Sequence, residues 1–441
     1  MAGPYARGWR AGDVVMVLET PNNPAHPVFA FAIRDGVLHP GGCDIRSLAQ
    51  RAGPGGFYLY DAGLVRERLA ALRQAMPADV RLSYALKANP FTPLLRLMRH
   101  LVDGFDVASC GEMAAALATG MASSAVSFAG PGKDAREIAA ALAAGVRVVV
   151  EDIGEIDDIA RLSRELPLAR PPRLALRIHP PFALKQAGMR MGGEATAFGI
   201  AVDEIGAVVA RARDAGIDID GLHVFAASQS LDGSALGELH ERTAELMITV
   251  AETHGLHPRW LNLGGGYGIP YAEGDRPLDL SAVMAGLARA CDRLRGHWPD
   301  AEILIELGRY LVGEAGLYVM RVLRRKRING ETFLVTDGGL HQHLAATGNF
   351  GQVLHRSWPI CLPEHLPEGI ARSRGEPERG EERVWIAGRL CTPLDVFARR
   401  IILPRIMPGD LIAVCQSGAY GASASPNRFL SHPPPVEMLV G

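Results

Sequence analysis

The chain has 441 residues, with 46 lysines and arginines against 48 acidic residues and a formal charge of −2. Its length exceeds the ~250–300 residues at which a single core stops growing, which predicts two domains. The near-balanced charge offers no field for DNA or an anionic membrane surface, and 48% hydrophobic with 21% charged residues excludes a disordered chain.

The start, Met1 to Arg10, has no apolar segment after its arginines, so export is not expected and the cytoplasm is. Val14–Leu18 and Val28–Ile33 read as strands too short to fold alone. They are expected to join a sheet formed further along. Gly56-Phe-Tyr-Leu-Tyr60 opens as a strand and Asp61 is placed to cap a helix through Leu64, Leu69 and Leu72. Leu82–Leu86 is the next strand, with a helix near Leu94–Leu101 after it.

Further strands are predicted at Phe105–Ala108, Ala125–Phe128, Arg147–Val150, Leu174–Ile178, Gly221–Phe225, Trp260–Leu263 and Glu302–Glu306, separated by amphipathic helical sequence. Ile138 to Val150 is the most apolar stretch. It is shorter than the ~18–20 residues of a membrane span and reads as a buried helix running into a strand. This βα rhythm over about 250 residues predicts an α/β chain with a (β/α)8 barrel, a doubly wound open sheet being the competing fold.

From Ala315 the texture changes to β-rich segments at Gly316–Val322, Thr332–Val335, Arg383–Ala387 and Asp410–Val414, divided by glycine and proline turns. The expected organisation is N-terminal strands over 1–50 joining a C-terminal β domain at 313–441, with the barrel over 51–312. The polar tract Arg372–Arg383 reads as a surface loop. Six cysteines, Cys43, Cys110, Cys291, Cys361, Cys391 and Cys415, form no CxxC pair and are expected to be reduced.

Several residues could carry chemistry. Lys87 follows a barrel strand, where this architecture gathers its catalytic groups, although a surface lysine would look the same. Gly264, Gly265 and Gly266 follow an apolar strand and could cradle a phosphate or form a plain turn. Glu306 and Arg309 close another strand. Cys391 sits between segments of the second domain, where buried packing is the commoner role of a lone cysteine. His341 and His343 form an HxH pair with no third ligand nearby in sequence, a weak metal signal. Tyr420 stands out in the loop Gly418–Gly421.

In order, Tyr84–Asn89, Phe105–Ser109 with Gly111-Glu112, Phe128–Lys133, Phe198-Gly199, Gly221–His223 with Ser228-Gln229, Gly264–Gly266, Glu306–Arg309, Cys391 with Asp395, and Gly418–Gly421 resemble the fold-type III pyridoxal-phosphate decarboxylases. That family includes the diaminopimelate, ornithine and arginine decarboxylases. The resemblance covers nearly the whole chain. It implies a carboxy-lyase in which Lys87 holds pyridoxal 5'-phosphate as a Schiff base. Ser228, the three glycines, Arg309 and Tyr420 would hold the phosphate, and Glu306 would face the pyridine nitrogen. Asp106, Arg177 and His223 match residues near the cofactor. Cys391 would protonate the product carbanion from the second subunit of a homodimer, with Thr392, Asp395 and Tyr420 lining the substrate pocket.

Three departures narrow the substrate. Phe225 stands where the family usually stacks a histidine on the cofactor, so stacking is kept and acid–base capacity is lost. Thr392 replaces the acidic residue that reads a distal ammonium group, which disfavours free diamino acids. Asp337 to Gly351 replaces the usual segment and resembles a subgroup linked to secondary metabolism and exopolysaccharides, some of whose members act on aminoacyl groups tethered to acyl carrier proteins. The leading expectation is α-decarboxylation of an atypical or carrier-tethered L-amino acid. Diaminopimelate decarboxylase acting on free substrate in lysine biosynthesis is the alternative, and a non-catalytic binding protein on the same fold is a third reading.

Overall fold

The computed structural model describes residues 26–183, 189–190, 192–193, 195–350 and 356–441. The strand expected at Val14–Leu18 lies outside these residues. Eight parallel strands, Arg81–Ala85, Gly104–Val107, Val126–Phe128, Arg147–Val150, Leu174–His179, Gly221–His223, Trp260–Gly265 and Glu302–Leu307, hydrogen-bond to one another in chain order. The last pairs with the first through Leu304↔Arg81 and Ile305↔Leu82. The sheet therefore closes into a barrel, and the open-sheet alternative falls.

These strands were readable because a parallel strand buried on both faces needs a continuous apolar run, as in Arg147-Val-Val-Val150, where all four residues are buried. The helices between them start on polar caps. Asp134, Asp152, Asp232 and Asp279 each accept a backbone N–H from the first helical turn.

The strand at Phe57–Asp61 corrects one expectation. It continues into the capped helix Ala62–Ala75 as foreseen, yet it pairs with Gly316–Ile328 and Val436–Val440 in the second sheet and not with the barrel. All five of its residues are buried, and its pattern carries no sign of which sheet receives it.

The second, eight-stranded sheet is built around Gly316–Ile328. This long strand pairs with Phe57–Asp61 on one edge of its first half, with Leu411–Val414 on the other, and with Glu331–Thr336 along its second half. Glu381–Ala387 and Val396–Pro404 extend the sheet beyond Glu331–Thr336. Val396–Pro404, Ile360–Cys361 and Val436–Val440 are strands the sequence did not announce. The segment Val28–Ile33 is a short 3-10 turn followed by the strand Ala32–Arg34, which pairs only with Val37–His39. It packs its apolar side chains on Leu59, Leu317 and Ala413 and does not extend the sheet by hydrogen bonding.

The tract Arg372–Arg383 is a loop as far as Gly380 and then enters the strand Glu381–Ala387; it is tied at Ser373, whose backbone N–H donates to Glu273, and at Arg372, which pairs with Glu381. All six cysteines are free thiols. No helix among the described residues is long and apolar enough to cross a membrane.

Candidate active site

Six of the eight barrel strands deliver polar side chains to the mouth formed by their C-terminal ends, where barrels of this kind build their sites. Lys87 lies two residues beyond Arg81–Ala85, and its side chain is 42% exposed toward that mouth. Its Nζ stands 3.6 Å from Glu306 Oε1 and 5.0 Å from the centre of the Phe225 ring.

Glu306 is the electrostatic hub, with its side chain only 2% exposed. His223 Nε2 lies 3.4 Å from its Oε2, and Asn262 Nδ2 donates to the same oxygen across 3.2 Å. Asp106 hydrogen-bonds to it as well, and Ser127 Oγ donates to Asp106 across 3.2 Å.

Two carboxyls this close cannot both ionise cheaply. Burial and then the Glu306 charge push Asp106 far above the ordinary carboxylate range, so the proton resides on Asp106. Burial also opposes the Glu306 charge, but the Lys87 ammonium and His223 outweigh it and hold Glu306 below the usual range. At Lys87, partial desolvation favours the neutral amine, and the attraction of Glu306 and Asp106 more than offsets it, raising the pKa above that of an ordinary lysine. Burial lowers His223 despite its carboxylate neighbour. The resting arrangement is a neutral imidazole, an ionised Glu306 and a charged Lys87.

Beside this hub the three glycines form a bare backbone cradle. Gly264 and Gly266 have φ of +67° and +89°, and a Cβ on either would lie 2.4 Å and 2.3 Å from the Val224 and Ala227 carbonyl oxygens. A Cβ on Gly265 would meet the Glu306 carbonyl at 2.1 Å. Only glycine fits at all three positions. Ser230 N–H donates to the Gly266 carbonyl, which holds the loop bearing Ser228 against the cradle. Arg309 lies under the Tyr420 ring, 4.5 Å from guanidinium carbon to centroid, and donates to the Tyr271 hydroxyl across 2.8 Å.

Buried polar atoms without partners mark what this space is built to receive. Arg309 Nε and His223 Nδ1 are buried with no hydrogen-bond partner. An anion at the cradle would satisfy the former and the charged end of Lys87 faces the same mouth, so the donor set fits a phosphorylated aldehyde cofactor such as pyridoxal phosphate. Lys87 would bind its aldehyde carbon, and the glycines, Ser228, Arg309 and Tyr420 its phosphate.

Arg177 is also at the mouth, but its charge is already answered. One of its terminal nitrogens donates to both oxygens of Glu151, at 2.8 and 3.0 Å. Glu151 also accepts from the Gly130 and Gly199 amides. Asp395 is engaged within its own chain. It is 2% exposed, and its two oxygens accept from Leu340 N at 2.6 Å and Leu390 N at 2.9 Å. It clamps the segment after Asp337 to the loop carrying Cys391.

Cys391 is exposed, and among the described residues no hydrogen bond or ion pair joins it to Lys87, Glu306 or His223. Thr392 is half-buried beside it. His343 is buried against Tyr58, Tyr318 and Trp358 with Nε2 3.1 Å from Ser417 Oγ, so this half of the HxH pair is packing. No group of three or more His, Cys, Asp or Glu able to hold a metal occurs among the described residues.

Reading the sequence missed Asn262, Tyr271 and Glu151. Asn262 stands three residues before Gly265 in an otherwise apolar strand, a polar interruption that could have flagged it.

The sequence profile described as "Pyridoxal-dependent decarboxylase, pyridoxal binding domain" matches residues 62–313. The chain is 34% identical over 386 residues to the L-glutamyl-[BtrI acyl-carrier protein] decarboxylase of Niallia circulans, covering 87% of this chain and 88% of that one. It is 30% identical to the 2-[(L-alanin-3-ylcarbamoyl)methyl]-2-hydroxybutanedioate decarboxylase of Staphylococcus aureus, over 89% of this chain and 95% of that one. The crystal structure of Helicobacter pylori diaminopimelate decarboxylase complexed with L-lysine superimposes with a TM-score of 0.77 at 26% identity, over 90% of this chain and 94% of that chain.

Proposed function

The chain belongs to the pyridoxal-dependent decarboxylases, and from that premise we propose that it removes the α-carboxyl of an L-amino acid whose side chain ends in an uncharged acyl link, as on an acyl carrier protein. The observation that carries this reading is the pairing of Lys87 with an ionised Glu306 at 3.6 Å beside the glycine cradle, in a chain where Thr392 follows Cys391.

When bound, pyridoxal phosphate supplies an electron-accepting ring for the pair left on Cα as carbon dioxide departs. The residues of this chain do the rest. Lys87 is the residue that would hold the aldehyde carbon and give it up to the substrate amine. Glu306 keeps a full negative charge and would hold a proton on the ring nitrogen, while Asp106 keeps its own proton and adds no second charge. Phe225, whose ring lies 5.0 Å from Lys87 Nζ, would offer the ring an apolar face. His223, neutral and buried, holds its side of the hub without competing for that proton.

Cys391 then returns a proton to Cα from across a homodimer interface. Its exposure, next to Leu394 with 58% of its surface uncovered, supports a loop meant to be covered by a second copy. Mixing inactive Lys87→Ala and Cys391→Ala chains should then restore activity, since each dimer can assemble one intact site.

The two curated relatives support the substrate class. One is named for a glutamyl group on a carrier protein and the other for an amide-linked amino acid. In neither named substrate does a free ammonium end the side chain. A buried ammonium facing Thr392 would lack a carboxylate partner, whereas a thioester or amide needs none.

The test is carbon dioxide release by the loaded enzyme from glutamyl carrier protein beside free diaminopimelate, lysine, ornithine, arginine and glutamate. Release from the tethered substrate alone is expected. Rapid release from free diaminopimelate would overturn the substrate class and leave an ordinary diaminopimelate decarboxylase.

A further inference from the structure

The hairpin joining Gly316–Ile328 to Glu331–Thr336 ends in the run Arg324-Arg-Lys-Arg-Ile328. Beside it lies a cleft of about 540 Å³ where five cations, Arg325, Lys326, Arg327, Arg383 and Arg400, face two carboxylates, Glu331 and Glu382. Arg325 pairs with Glu382, Arg400 with Glu331 and Arg383 with Glu376. Lys326 and Arg327 are exposed and have no carboxylate partner among the described residues. In a chain whose overall formal charge is −2, this is a local excess of positive charge.

The register sets Lys326 in line with an aromatic pair, while Arg325 and Arg327 alternate to the other face of the hairpin. Lys326 stands beside Phe333, and Phe333 beside Trp385. The two rings stack with centroids 5.4 Å apart, and Arg399 lies over Trp385. Such a surface, cationic at its rim with half-buried aromatics beside it, is suited to a protein partner of opposite charge.

Its position relative to the Cys391 loop is fixed by one strand. Glu381–Ala387 runs from the cleft directly toward Arg389 and Cys391, and the four steps from Arg383 to Ala387 span roughly 13 Å at the usual rise. A partner seated in the cleft would have the loop within reach of a flexible arm.

We infer that this cationic cleft docks an acidic face of the carrier protein that presents the tethered amino acid. The inference rests on the tethered-substrate reading above. Glu331 and Glu382 interrupt the positive field and would repel a continuous polyanion, which favours a protein surface over nucleic acid.

The experiment uses the loaded enzyme with two substrates: L-glutamyl BtrI carrier protein, and the same glutamyl thioester on a small thiol. The doubly substituted Lys326→Glu, Arg327→Glu enzyme should show a KM for the carrier substrate raised about tenfold or more, with kcat/KM for the small thioester unchanged. Added salt should raise the carrier KM of the parent enzyme and lower that of the charge-reversed variant. The milder Lys326→Ala, Arg327→Ala enzyme should fall between the two.

An unchanged carrier KM, or an equal loss on both substrates, would overturn the docking surface. So would displacement of the carrier by a DNA oligonucleotide at equal charge concentration. Failure of the parent enzyme on both thioesters would instead overturn the tethered-substrate reading, and the docking surface with it.

Discussion

Asn262 ties Glu306 to the glycine cradle. Its Nδ2 donates to Glu306 Oε2 across 3.2 Å while its Oδ1 accepts from Gly264 N at 2.9 Å, so one buried side chain sets the carboxylate and the cradle in register. Asn262→Ala should leave both groups short of a partner, at about 1–3 kcal/mol each. The expected result is weaker cofactor retention together with a lower kcat, measured by cofactor titration and by carbon dioxide release. Loss of neither would mean that the glycine turn holds its shape without the side chain.

Asp395 should act on Cys391 without touching the cofactor. Its oxygens hold Leu340 N and Leu390 N, the latter immediately before Cys391. Asp395→Ala is expected to lower kcat about tenfold or more through a displaced acid while cofactor affinity stays unchanged. Asp395→Asn should recover part of the loss, because one acceptor oxygen remains.

Thr392→Glu should move substrate preference. A carboxylate at this position gives a distal ammonium its missing partner and leaves an acyl link facing an unpaired charge. Activity on free lysine or diaminopimelate should rise relative to the tethered glutamyl substrate, by about tenfold or more in the ratio of kcat/KM values. An unchanged ratio would place the side-chain reader elsewhere.

Two buried histidines predict a loss of stability in mild acid. Burial lowers His240 to about 4 and His343 to about 3. The unfolded chain takes up these protons near pH 6.5 and the folded chain does not. Stability is therefore complete above pH 6.5 and declines as the pH falls below it, by about 2 kcal/mol per histidine at pH 5. Urea midpoints between pH 7 and pH 5 should fall accordingly, and a flat profile would show that these rings are solvated.

Much of the architecture could be read directly because barrel strands are apolar on both faces. Arg147–Val150 and Trp260–Leu263 declare themselves locally, without reference to any partner. Phe57–Asp61 shows the limit of such reading. It is as apolar as a barrel strand, and only its pairing with Gly316–Ile328 reveals its sheet.

Val396–Pro404 escaped notice for a different reason. Arg399 and Arg400 interrupt its apolar run, and Arg400 sits at φ +56° where the register with Glu381–Ala387 shifts. Within the site, Lys87, Glu306, Arg309 and the glycines followed from ordered motifs. Glu151 and Tyr271 could not, because each matters only through a residue that folding brings beside it from another strand or loop: Arg177 for the first and Arg309 for the second.

The central claim, that Lys87 is the cofactor's attachment point, can be tested in one step because the chain has only four lysines, Lys87, Lys133, Lys185 and Lys326. Lys133 is buried against Glu155 at 2.9 Å and is poorly placed to compete. Borohydride reduction of the pyridoxal phosphate-loaded protein, followed by peptide mass mapping, should place one cofactor group on Lys87 and none on the other three. A group on Lys133, Lys185 or Lys326, or no covalent group on any lysine, would contradict the account.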